Sequence, residues 1–316
     1  DKPWEEFLVR QPHTAFLQSW AWGEFQEKLG FSHRRFGIYQ GGALVGICQA
    51  LVGRRKLGQF VYVPRVPVLK SFERGSAQAI LKYLQDFSAR QKVDYLRVEP
   101  PWEANQDFDQ LLGENEGRRA EATAQAGGAT LLLDLALSEE ELLAQMRKTT
   151  RYLLQNTAGL GIEIHKSADP RKMEEFYRLT NVARRWQGFV PHPRRYLQTE
   201  FETLAPRGIA EMFWANYRND ILAAAIVFSY GDTVTYVHGA STRSEVPASY
   251  HLLWEIIKEA KKDGYRYFDL WGIDSLFKNG FGGYQVNYAG VWDYPLSPKY
   301  WTVFGIEKLR RLVRRY

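Results

Sequence analysis

The segment Phe277–Gly283 sets one lysine between two phenylalanines among three glycines, just after a β-rich run at 265–270. Glycine lets a backbone approach a ligand closely. A lysine held between rings is a point charge suited to an anionic ligand or to an oxyanion formed during acyl transfer. The alternative is an ordinary glycine-rich turn carrying a solvated Lys278. Three groups at predicted strand ends are candidate proton acceptors: Asp269, Asp274 and His238. Asp269 serves equally well as a structural cap of the loop.

Other chemistries lack their parts. Acyl-CoA enzymes cradle a pyrophosphate with glycine-rich backbone at a helix N-terminus. Of the loops that precede amphipathic helices here, Ser241–Ala248 has no glycine and Pro67–Gly75 has one. An acyl donor other than CoA is therefore favoured. The six histidines fall in no HxxxH or HxxEH spacing, so no metal is expected. Neither a Gly-x-Ser-x-Gly elbow nor a Walker loop is present. The single cysteine, Cys48, lies in an apolar run, which rules out an internal disulfide and a cysteine zinc site. It reads as buried filler, because no cation sits beside it to lower its pKa.

With 316 residues, 45% apolar and 25% charged, the chain has globular composition and room for two ordinary domains. Ten tryptophans and eighteen tyrosines are enough to line a groove as well as fill a core. The net charge of +6 favours an anionic partner, such as tRNA, a phosphorylated lipid or an anionic membrane face. A merely basic protein is the alternative. No apolar run reaches the ~18 residues of a membrane span, and Asp1–Glu6 forms no apolar signal core. A cytoplasmic protein is expected.

The elements that must position Lys278 repeat along the chain. Tyr39–Gly53 and Tyr217–Gly231 each hold a strand end, a two-residue turn (Gly41-Gly42, then Asn219-Asp220) and a second apolar strand, which predicts two hairpins. A tyrosine-bearing strand follows each, at 59–64 with Tyr62 and at 233–239 with Tyr236. Amphipathic helices at 76–91 and 249–263 come next, then strands at 94–98 and 265–270. The shared order predicts two copies of one α/β domain. The first copy is placed at residues 1–135 and the second at 136–298. Ser138–Glu141 is a capping box for a helix that runs to Gly159. Asp169-Pro170 opens another, with Phe176, Tyr177 and Leu179 inward. Residues 299–316 form a basic amphipathic helix.

Phe277–Gly283, Val286–Gly290 and Asp293–Leu296 together resemble the C-terminal signature of the FemABX family, peptidoglycan bridge-forming transferases that use aminoacyl-tRNA. Gln18–Phe25, Met146–Tyr152 and Pro247–Ile273 are similar to other parts of the same family, so the likeness spans residues from about 12 to about 300. The resemblance implies a fold of two tandem GNAT-like domains. The interval 168–211 is too short for the helical arm of some members, so the chain resembles the armless, FemX-like subgroup. It also implies that the tail at 299–316 packs back on the first domain.

The implied reaction is transfer of an amino acid from aminoacyl-tRNA to the stem-peptide amine of a peptidoglycan precursor, nucleotide-linked or lipid-linked. No cofactor is called for, since the charged tRNA is a co-substrate. A monomer is expected, with peripheral contact at the inner membrane leaflet if the precursor is lipid-linked. Lys278 would stabilise the oxyanion or meet the tRNA end. Phe277 and Phe281 would hold it and offer a stacking face to the terminal adenosine, with Gly282 giving close approach. Family members bind the precursor diphosphate with a lysine on the first helix, where this chain has Gln26 with Lys28 nearby. They also use a basic residue before the second hairpin, where Arg194, Arg195 and Tyr196 stand. Tyr62, Tyr236 and His238 are further substrate-binding candidates. Arg147, Lys148 and Arg151 would share one helix face toward tRNA phosphates; a solvated helix face is the alternative. The rival readings are a non-catalytic tRNA- or precursor-binding copy and an N-acyltransferase with another ester or thioester donor.

Overall fold

The computed structural model describes residues 2–11, 16–55, 58–104, 106–114, 116–120, 128–188, 190–273 and 275–313. The chain opens with α1 (Lys2–Leu8), α2 (Trp20–Lys28), β1 (Ser32–Gln40), β2 (Ala43–Arg55), β3 (Gly58–Pro64) and β4 (Val68–Leu69). Next come α3 (Arg74–Arg90), β5 (Tyr95–Glu99), α4 (Gln106–Gly113), β6 (Arg118–Arg119) and β7 (Ala129–Asp134). The second half holds α5 (Glu139–Gln145), α6 (Lys148–Gln155), β8 (Glu163–Ser167), α7 (Met173–Gln187), α8 (Arg194–Leu204), β9 (Ala210–Tyr217), β10 (Asp220–Tyr230) and β11 (Thr233–Ser241). It ends with α9 (Ala248–Lys262), β12 (Tyr267–Asp269), α10 (Leu276–Asn279), β13 (Tyr284–Asn287), β14 (Trp292–Pro295) and α11 (Tyr300–Val313).

Two units result, one of residues 1–11, 15–129 and 287–316, the other of 12–14 and 130–286. The first unit's sheet runs β1-β2-β3-β5-β14-β6, with β4 beside β2. Among the described residues its strands pair antiparallel except β3 with β5. The second unit's sheet runs β13-β7-β12-β11-β10-β9-β8, with β11 and β12 parallel. Hairpin, strand, helix and parallel strand thus recur in both, as the repeated pattern predicts. The turn Gly41-Gly42 has φ of 56° and 81°, as a two-residue hairpin turn needs. The second turn sits one residue earlier than expected, at Arg218-Asn219, also with both φ positive.

The expected domain limits shift at both ends. Beyond β5 the first sheet continues with β14, from late in the chain, and beyond β12 the second continues with β7, from early in it. Residues 130–134 therefore belong to the second unit and 287–298 to the first. Each copy is completed by a strand encoded beside the other.

The helix expected from 138 to 159 is broken. The Ser138–Glu141 capping box forms with both its bonds, but Met146 is extended, at ψ 153°, and separates α5 from α6. The break is stabilised by partners. Arg147 N–H donates to the Gly280 carbonyl at 3.0 Å, and the Arg151 guanidinium donates to the Leu143, Ala144 and Met146 carbonyls at the end of α5. Leu142, Met146 and Leu154 join α9 and the sheet in one buried cluster. On the opposite sheet face α7 packs over β10 and β11, burying Phe176 and Leu179. Helices α7 and α8 are joined by residues 188–193 alone, which leaves no length for an arm. In the first unit α11 packs Tyr300 and Val303 into a core cluster with Leu51, Phe60, Tyr62 and Tyr95. No helix of the described residues is long and apolar enough to cross a membrane.

Candidate active site

Strand β12 ends at Asp269, and the carboxylate there is a wiring point. Asp269 Oδ1 accepts from the Thr130 hydroxyl and, at 2.7 Å, from Trp271 N–H. The Thr130 oxygen in turn accepts from Gly272 N–H at 3.1 Å. These bonds hold Trp271 at φ 53°, a left-handed conformation that costs a non-glycine residue energy. The Trp271 carbonyl is thereby aimed at Lys278, whose Nζ donates to it at 2.9 Å. The same ammonium lies 5.6 Å from the centroid of the Tyr236 ring. Of the sequence alternatives for Asp269, the bonding pattern is that of the cap.

Prediction at this residue is direct. An Asp269→Asn protein keeps an acceptor oxygen but cannot take a proton, so its turnover is expected to stay within a few-fold of the parent. Asp269→Ala orphans the Trp271 N–H, lowers stability by about 1–3 kcal/mol and releases Lys278. Thermal denaturation and turnover of both variants check this. Asparagine failing as badly as alanine in turnover would restore the base role.

Phe281 does not offer the stacking face expected of it. Phe281 is fully buried and stacks on Tyr250 at 6.0 Å, and Phe277 meets Tyr250 edge-on at 4.9 Å. Phe277 packs against the same core cluster. Both anchor the loop, and Phe281 has no face left for an adenine. The glycines also serve the protein. A Cβ at Gly282, where φ is 80°, would sit 2.6 Å from the Gln145 carbonyl oxygen. A Cβ at Gly283 would sit 2.5 Å from the Leu132 carbonyl oxygen. The loop is pressed against the end of α5 and against β7, so Gly282 provides contact within the chain where approach to a ligand was expected. Asp274, the other candidate base on this loop, lies outside the described residues.

Of the three cations assigned to one helix face, Arg147 and Lys148 are exposed where α6 begins, beside the Gly280 carbonyl. Arg151 does not share their role, because its guanidinium closes the end of α5.

Tyr236 and His238, both substrate-binding candidates from the sequence, stand two residues apart on β11. A β-bulge separates them. Val227 pairs with Tyr236 while Ile226 pairs with His238, which turns His238 to the opposite sheet face. There its Nε2 meets Glu200 Oε2 at 2.7 Å, with Phe176 and Phe228 about the ring. The Glu200 side chain is 2% exposed. Sequence reading missed Glu200, although a signal existed: it falls on the buried stripe Leu197, Phe201, Leu204 of α8. His192, also missed, stacks on Tyr196 at 4.5 Å. Arg194 pairs with Glu174 and lies over Tyr177, whereas Arg195 is exposed with no ion pair among the described residues.

In the first unit Tyr62 is buried and donates to Glu99 Oε1 at 2.7 Å. Burial and then the Glu99 charge push its pKa well up, so it stays a neutral donor. Burial likewise raises Tyr236. Lys28 is exposed. Gln26 is buried, and its Nε2 has no hydrogen-bond partner among the described residues; Trp22 Nε1, one turn earlier, has none either. Two buried donors on one helix are thus left without an acceptor among the described residues.

Comparison with known proteins agrees with this architecture. The profile described as "FemAB family" matches residues 1–126, and that of the "Acetyltransferase (GNAT) domain" matches residues 142–279. The chain is 19% identical to a lipid II:glycine glycyltransferase of Staphylococcus haemolyticus (strain JCSC1435), over 93% of this chain and 91% of that protein. It superposes on the crystal structure of FemX with a TM-score of 0.83 at 17% identity, covering 97% of this chain and 98% of that one. A tandem GNAT protein from the clavulanic acid biosynthesis pathway superposes with a TM-score of 0.55 at 12% identity, covering 85% and 84%. At these identities the superpositions establish two tandem GNAT-like domains.

Proposed function

We propose that this chain is a member of the FemAB family and moves an amino acid from aminoacyl-tRNA to the stem-peptide amine of a peptidoglycan precursor. The observation that carries the reading is Lys278, whose ammonium is fixed at 2.9 Å to the Trp271 carbonyl on a tightly packed loop. Aminolysis of an ester asks for little more. The amine attacks the ester carbonyl carbon, a C–N bond forms, and the negative oxygen that results is met by the Lys278 ammonium. The ester C–O bond then breaks, the amine gives up a proton, and the departing ribose oxygen takes one. An ester is already activated, so no covalent enzyme intermediate is required. Holding amine and carbonyl together supplies much of the rate.

Arg147 and Lys148 are assigned to tRNA phosphate, because both are exposed where α6 begins and the Arg147 N–H is bonded to the loop that carries Lys278. Gln26 and Trp22 are assigned to oxygens of the precursor, because their side-chain donors have no partner among the described residues. A lipid-linked precursor would bring the protein to the inner leaflet, and a nucleotide-linked one would not.

Turnover is expected to require charged tRNA and to ignore acetyl-CoA. The assay offers mixed charged tRNAs with both precursor forms and reads mass gain on the precursor. Activity with acetyl-CoA alone, surviving ribonuclease, would replace this reading with a CoA-dependent N-acyltransferase.

A further inference from the structure

Charge in this chain is concentrated at one end. Residues 299–316 hold six cations, Lys299, Lys308, Arg310, Arg311, Arg314 and Arg315, against one acid, Glu307, in a protein whose net charge is +6. The single acid is withdrawn from the surface, since its carboxylate is bonded to Arg97 at 2.8 Å. That bond, with buried Tyr300 and Val303, fixes which face of α11 points inward. The outward face carries what a soluble helix usually avoids: Trp301 is 49% exposed and Leu309 is 62% exposed, with exposed Lys308 beside it. The Arg118 guanidinium lies 4.9 Å from the Trp301 ring centroid, adding a cation to the same surface.

We infer that α11 docks the protein on an anionic lipid surface, with Trp301 and Leu309 entering the interface and Lys308 and Arg118 meeting lipid phosphates. Two observations choose lipid over nucleic acid. Cations alone would serve either partner. An exposed leucine and tryptophan on the same face gain only from a partner that has an apolar layer beneath its phosphates. Membrane docking goes beyond the transfer reading, and its test uses no turnover, so either can fail alone.

The test is flotation of the full chain with vesicles of phosphatidylcholine, alone or mixed with phosphatidylglycerol, at low and high salt. Binding is expected only to the phosphatidylglycerol mixture, and it should weaken with salt. A Trp301→Ser/Leu309→Ser variant is expected to bind at least about tenfold more weakly, with an unchanged thermal midpoint because both side chains are exposed. A variant with Arg310, Arg311, Arg314 and Arg315 changed to Gln is a second probe should the first fail to fold. Absence of flotation with the mixed vesicles overturns the inference, as does flotation unchanged in both variants. If the arginine variant keeps vesicle binding but loses charged tRNA, the helix is an RNA contact and the inference is likewise overturned.

Discussion

A Lys278→Met protein is expected to fold and to transfer about 10²-fold more slowly, the usual consequence of losing one oxyanion donor. Methionine keeps the length and apolar stem, so the aromatic packing of Phe277 and Phe281 beneath the loop persists. What disappears is the bond to the Trp271 carbonyl and the charge over the Tyr236 ring. Together these cost about 1–2 kcal/mol of stability, which a thermal melt will register without unfolding the chain at assay temperature. Single-turnover transfer from charged tRNA reads the rate, and a separate titration reads precursor affinity. Normal turnover would return residues 277–283 to a glycine-rich turn. A normal rate at saturation with weakened precursor binding would move Lys278 from the chemistry to substrate recognition.

The repeat and the place of the candidate loop after a strand end were legible in the sequence because both are local signals. A hairpin turn announces itself as Gly41-Gly42, and a lysine among glycines stands out wherever it lies. What the sequence hid was long-range. Nothing near residue 130 says that Thr130 will share a hydrogen-bonded knot with Asp269. Nothing in a 3.6-residue period says that Arg147 is paired to Gly280 and so ends a helix. The glycines of 280–283 were read as room for a ligand, but the atoms they make room for are the protein's own carbonyls at Gln145 and Leu132. The bulge that parts Tyr236 from His238 is equally invisible, since one unpaired residue in a strand leaves the alternation of types unchanged. Asp293, noticed only as part of a motif, proves to have a structural reason.

That reason sets the second expectation, a large loss of stability on removing Asp293. The Asp293 carboxylate is fully buried and accepts two bonds from the Arg97 guanidinium, at 2.7 and 2.8 Å, while Glu307 of α11 takes further Arg97 donors. Burial pushes the Asp293 carboxyl above its usual range against the pull of Arg97, so the pair is sensitive to any change in its partner. In Asp293→Ala the guanidinium keeps only the more exposed Glu307. Breaking a buried pair from one side costs about 3–5 kcal/mol, a large part of a domain's total stability. The exposed Arg171–Asp169 pair offers a control within the same chain, expected to contribute far less because water screens it. Replacing both buried partners, as Arg97→Met/Asp293→Leu, is expected to cost less than the sum of the single changes, because neither charge is then left alone. Urea denaturation of the three variants measures this coupling. A loss below about 1 kcal/mol for Asp293→Ala would mean that water reaches the pair.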